Sequence, residues 1–248
     1  MYEIIVAAVV FACLLAASLG SLLIYQRLPA HHLQDDSQAV IRAVAGIFVV
    51  LTSLVLGLMI NSAKNTFESV DRNVHAIATG IIILDRILQQ VGPAADPARG
   101  RLLAYAKRAA DASRPDRNVP DRTSETVLGE VGMQLRQVKT ETPEQTAALR
   151  DATQQYLAIV QLRWVLVEQS EGTIPMPLVV LLVAWLVLIF ASFGYRAPRN
   201  ALVIGCFIAS SALMAGAIYL ILDMDVPFGG PIQVSRQPIE RAIAEMQR

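Results

Sequence analysis

Net charge is absent from this sequence. Its 21 basic and 21 acidic side chains cancel over 248 residues. The chain therefore offers no field to neutralise a phosphate backbone, and nucleic acid is excluded as a partner. Charge of either sign is also scarce: charged residues make up 17% of the chain, against about 25% in ordinary globular proteins. Cysteine is nearly missing. Cys13 and Cys206 both sit in apolar stretches, so they support neither a disulfide framework nor a CxxC site. There is no P-loop, GxSxG, HExxH or cysteine cluster, and no set of acid, base and nucleophile can be assembled from what remains. The chain is read as a non-enzyme, with no catalytic residues, no cofactor and no bound metal.

What the sequence has instead is apolar length. Hydrophobic residues make up 54% of it, and mean hydropathy is +0.46. Residues 4–26, 43–63, 174–195 and 200–222 form four stretches without Asp, Glu, Lys or Arg, and each ends near a charged or proline-bearing flank. About 20 such residues at 1.5 Å each cross a bilayer. The first stretch is read as a retained helix, because Met1-Tyr2-Glu3 lacks the basic start of a signal peptide and the apolar run is too long for one. Four crossings put both termini on one side. That side also holds the section between the second and third spans. The opposite side holds only two short loops, 27–42 and 196–199.

The section from Lys64 to Glu171 contains 14 of the basic and 14 of the acidic residues. It reads as solvated helices with apolar stripes. The clearest stripe is Phe67, Val70, Val74, Ile77, Ile81, Leu84, Leu88 and Val91, an alternating 3,4 spacing that makes an a/d heptad seam. No proline occurs between Pro29 and Pro93, so the second span is free to run on into this seam as one rod. The seam packs either against the domain's other helices or against another copy of the chain. Gly92-Pro93 ends that helix. Asp96-Pro97 reads as an N-cap followed by proline at N1, opening a helix to about residue 112. A proline- and charge-rich loop follows over 113–121. Leu128, Val131, Leu135 and Val138 mark the next helix. Thr142-Pro143-Glu144-Gln145 reads as a capping box, opening a helix to about residue 170. The expected architecture is all-α: transmembrane helices 1 and 2 (1–63), a charged helical domain (64–172) inserted between the second and third spans, transmembrane helices 3 and 4 (173–222), and a tail (223–248) on the side of the helical domain.

Orientation follows from basic residues at span ends. Arg27, Arg42, Arg196 and Arg199 flank the short loops, whereas Lys64, Glu3, Glu171, Asp223 and Asp225 mark the other side. The count favours short loops in the cytoplasm.

Three features compete for a functional role. The second span carries Gly46, Ser53, Gly57 and Asn61, followed by Lys64, roughly on one helix face. This is either a small-residue packing face or a pore lining with a basic mouth. Phe48, Leu51, Val55 and Leu58, read as the opposite face, would make a hydrophobic gate. In the fourth span Gly205, Ala209, Ala212 and Gly216 read as a packing face. At its exit stands an acidic turn, Asp223, Asp225, Pro227, Phe228 and Gly229. Two acids at a helix C-terminus oppose its dipole. They require either a salt bridge, with Lys64, Arg72 or Arg86, or a cation. His31, His32, Asp35 and Asp36 read as an ordinary polar loop, and His75 as a boundary residue beside the seam.

The run LVLGLMINSA over 54–63, the stretch Leu84-Asp85-Arg86 with Gly92-Pro93 and Arg99, and the tail LDMDVPFGG over 222–230 resemble a bestrophin-like family of bacterial membrane proteins. The resemblance implies four membrane segments, a helical domain partly assembled between the second and third, and a pentameric homo-oligomer with the second span around a pore for inorganic ions. It implies a bacterial inner-membrane location. It also implies a cytoplasmic helical domain, opposite to the arginine count. The leading functional expectation is an oligomeric ion channel. The alternative is a non-conducting scaffold or sensor acting through the helical domain.

Overall fold

The structure is a computed structural model and describes residues 2–24, 35–112, 122–169, 172, 174–195, 197–198, 200–228 and 231–248. Among these residues the regular elements are all helical: α1 (Tyr2–Ile24), α2 (Asp35–Val91), α3 (Asp96–Ala112), α4 (Arg122–Gln137), α5 (Pro143–Gln169), α6 (Met176–Gly194), α7 (Ala201–Asp225) and α8 (Gln237–Met246), with a 3₁₀ turn over Pro93–Ala95. The chain divides into two units. One comprises Met1–Asn65 and Thr173–Asp225, the other Thr66–Gly172 and Val226–Arg248.

The four apolar stretches fall on α1, α2, α6 and α7, each long and apolar enough to cross a membrane. Helix α2 starts at Asp35, eight residues before the expected start of the second span. No proline or glycine occurs between Pro29 and Gly46, so nothing breaks it. Arg27, His31, His32, Arg196 and Arg199 lie outside the described residues, as does the expected loop over 113–121.

In the first unit α1 packs against α6 and α7. Leu14, Met59, Leu182 and Ile218 are almost fully buried in its core. The α1–α6 contact is close because Gly194 has no side chain: a Cβ there would run into the Ser18 carbonyl and the Ser21 hydroxyl. Both serines are bonded within α1, Ser18 Oγ to the Leu14 carbonyl and Ser21 Oγ to the Ser18 carbonyl, each at 3.0 Å. Small residues thus permit the approach, and their hydroxyls stay satisfied away from water. The small stripe expected to pack on the fourth span behaves differently. Gly205, Ala209 and Ala212 are exposed and Gly216 is half-exposed. The face of α7 that packs within the chain carries Phe207, Ser211, Ala215 and Ile218. In a helix apolar all round, spacing alone does not say which face is covered.

In the second unit the heptad stripe is the core. Val70 through Val91 along the seam are buried, with Phe67 partly so, against side chains of α3, α4, α5 and α8. The seam packs inside the chain, the first of the two alternatives. Helix α5 returns antiparallel to α2. Gln155 Nε2 reaches the Gly80 carbonyl at 3.4 Å. Gln169 accepts from Asn73 Nδ2 at 2.9 Å and donates to Ser69 Oγ at 3.2 Å.

Helix ends obey local chemistry. Gly92 has φ 93° and ψ −164°, a region essentially reserved for glycine. Its N–H bonds the Leu88 carbonyl, closing α2. Thr142 and Gln145 form the expected capping box: the Gln145 N–H donates to Thr142 Oγ1, and Gln145 Oε1 accepts from the Thr142 N–H. Asp96 departs from expectation. Its dihedrals are already helical, and its N–H bonds the Pro93 carbonyl, so the intervening 3₁₀ turn takes the place of a capped start. The tail also holds an unexpected helix, α8, whose Ile239, Ala242 and Met246 join the core.

Leu84 is fully buried. Leu84→Ala is expected to destabilise the chain by about 2–5 kcal/mol, read as a lowered denaturation midpoint in detergent. Met133→Ala, at an exposed site, is expected to change it by less than about 1 kcal/mol.

Candidate functional site

The membrane part of α2 has two unlike sides. Thr52, Met59 and Ala63 are buried within the first unit, and Val55 and Leu56 pack beside them. Phe48 lies 6.2 Å from the Trp185 ring centroid. Gly46, Ser53, Gly57, Asn61 and Lys64 are exposed. No described residue lies within 4 Å of a Cβ built on Gly46 or Gly57, so among the described residues this stripe is not a packing face between helices of one chain. Ser53 Oγ turns back to the Val49 carbonyl at 2.9 Å. The four residues read as a hydrophobic gate divide between the two sides. Phe48 and Val55 face the chain's own helices, whereas Leu51 and Leu58 are exposed. The reason is angular. At 100° per residue, positions 51 and 58 sit between the small stripe and the packed face.

The acidic turn is built from backbone. Asp223 and Asp225 are both buried, at 1% and 4% exposure. Asp225 Oδ2 accepts the Ile174 N–H at 3.0 Å, just ahead of α6. The carboxylate at the unfavourable end of α7 is therefore placed at the favourable end of α6. Asp223 accepts a hydrogen bond from the Tyr219 hydroxyl. Of the cations expected nearby, Arg72 pairs with Glu68 at 3.8 Å and Arg86 with Glu245 at 3.6 Å. Pro227 O accepts from the Val234 N–H at 3.3 Å, and Phe228 packs against the second unit's core. Gly229 lies outside the described residues. Among the described residues no three His, Cys, Asp or Glu converge as metal ligands.

The second unit holds a buried ion pair that composition and spacing did not single out. Asp85 is 2% exposed, and Arg99 of α3 reaches it through Nε at 2.9 Å and Nη2 at 3.4 Å. Gln89 Nε2 adds a bond to the second oxygen at 2.9 Å. The hydrogen bond to Asp85 raises the Arg99 guanidinium above its ordinary value. The signal was present: Asp85 stands four residues after the seam's Ile81, and a charge so close to a buried stripe must be paired. Tyr105 is similarly buried with its hydroxyl on Arg163, and burial pushes its phenol up.

With the geometry described, comparison with known proteins adds the family. The family model for the bestrophin-like domain matches residues 12–239. No curated protein matches the chain. Crystal structures of point-substituted forms of a bacterial bestrophin homolog from Klebsiella pneumoniae are similar over nearly the whole length. One aligns with a TM-score of 0.66 at 11% identity, covering 98% of this chain and 99% of that one. A second aligns with 0.65 at 12% identity and 97% of each. At such identity the likeness establishes the fold.

Removing the Asp85 carboxylate leaves a half-buried guanidinium without its partner. Asp85→Ala is expected to cost about 3 kcal/mol, seen as a lower unfolding midpoint. Arg99→Lys should recover only part of the pair, since an ammonium cannot reproduce the forked contact.

Proposed function

The chain belongs to the bestrophin-like family, and from that premise we propose that it is an ion channel of the bacterial inner membrane. Copies assemble around an axis, five in number on the family resemblance, with α2 lining the pore. The observation that supports this reading is the stripe Gly46, Ser53, Gly57, Asn61 and Lys64, exposed along a membrane helix whose other side is filled by its own chain. Turned to lipid, Asn61 would leave amide hydrogen bonds unmade in hydrocarbon. Turned to a shared axis, the same side chains meet water and ions, and small residues leave room for them. A ring of Lys64 at the mouth favours anions. Leu51 and Leu58, on the shoulder of the stripe, supply the apolar constriction where neighbouring copies of α2 converge.

Two measurements test this. Purified in mild detergent, the protein should run as a defined homo-oligomer, and in liposomes it should pass ions. A stable oligomer that passes none would leave the scaffold reading in its place. Lys64→Glu should lower the anion-to-cation permeability ratio severalfold while the oligomer persists.

Orientation is decided by a reporter fused after Arg248. On the family resemblance it is active in the cytoplasm. Periplasmic activity would follow the arginine count instead.

A further inference from the structure

Helices α4 and α5 border an open surface cleft of about 580 Å³, a volume within the range of small-ligand sites. Its apolar wall is Leu135, Leu149 and Leu157, and its polar wall includes Arg136, Arg150 and Tyr156. Among the described residues no carboxylate lines it. Elsewhere in this unit arginines find acids: Arg99 with Asp85, Arg101 with Glu130 at 3.0 Å, Arg86 with Glu245. Among the described residues Arg136 and Arg150 have no such partner. Both side chains line the one cleft, and guanidiniums without an acid partner are donors suited to an anion.

The cleft owes its shape to Gly132. Tyr156 lies directly over that residue, so that a Cβ there would stand 2.7 Å from the ring carbon bearing the hydroxyl. The ring is thereby seated on the α4 backbone, with its hydroxyl in the field of Arg136. The opening is too large for an inorganic anion, and its leucines would be left wet by one.

We propose that this cleft binds a small organic dianion, of the chemical class of a phosphate monoester. The phosphoryl oxygens bind Arg136 and Arg150 as forked donors, and the ester's apolar body lies on Leu135, Leu149 and Leu157. All of its lining residues belong to the second unit, and binding there is measured without reference to conduction.

The test is calorimetric titration of the full chain in detergent with phenyl phosphate, inorganic phosphate and phenol. Saturable binding of phenyl phosphate, about tenfold tighter than either fragment, is expected. Arg136→Gln and Arg150→Gln, both exposed changes that leave the core alone, should each weaken it about tenfold or more, and Gly132→Ala should weaken it by displacing the Tyr156 ring. Equal affinity for phenyl and inorganic phosphate, or binding unchanged in the double arginine variant, would overturn the proposal. So would Arg150→Cys cross-linking to a neighbouring copy while phenyl phosphate fails to bind, because the cleft would then be filled by a second chain.

Discussion

Hydrocarbon offers no hydrogen bonds, and this one constraint shapes the backbone of the membrane helices and most of what their polar side chains do. Four helices satisfy their own backbones. The hydroxyls of Ser18, Ser21, Ser53 and Ser192 turn back to a carbonyl of the preceding turn, whereas those of Thr52 and Ser211 are buried with no hydrogen-bond partner among the described residues. Asp225, at the edge of the membrane segments, is held by a backbone N–H at the entry of the next helix. The same logic reaches into the second unit. There the buried charge of Asp85 is matched by Arg99, and the hydroxyl of buried Tyr105 is met by Arg163.

Helix α2 connects these two regimes in sequence. Met59 and Ala63 belong to one hydrophobic core, and Val70 to Val91 belong to the other. Each half buries one side and leaves the other exposed, but what exposure means differs. Around Gly57 the exposed side carries large apolar residues such as Leu54 and Ile60, with small residues and one amide among them. Around Arg72 and Arg86 it carries charges paired with Glu68 and Glu245. The two halves thus carry side chains suited to different surroundings, apolar in the membrane half and charged in the other. The membrane location and the bestrophin-like family agree with this division.

Periodicity was readable wherever one face of a helix is apolar and the other is not. The heptad stripe, the α5 capping box and the glycine stop at 92 all follow from side chains acting within a few residues of themselves. The places where reading failed involve partners far along the chain. Nothing near Gly205 or Ala209 says that Phe207 and Ser211 form the covered side of α7. Arg99 answers Asp85 only because α3 folds back after the 3₁₀ turn. Helix α8 is ten residues long, and a segment that short is marginal until tertiary contacts hold it. Its Ile239, Ala242 and Met246 looked like tail because the core that receives them is built some 150 residues earlier. Phe48 and Val55 were grouped with Leu51 and Leu58 by apolarity, although they sit a half-face apart around the helix.

The seam on α2 has a consequence for synthesis. Its residues leave the ribosome long before the helices that cover them. Gln155 and Ile159, which meet Gly80, follow about 75 residues later, and α8 follows Val91 by about 150. At 5–20 residues per second the stripe waits on the order of 10–30 s for its last covering helix. During that interval a run of valine, isoleucine and leucine lies bare beside a freshly inserted membrane helix. The nascent chain therefore needs shelter, from a chaperone or from the lipid surface next to it, until α8 is made.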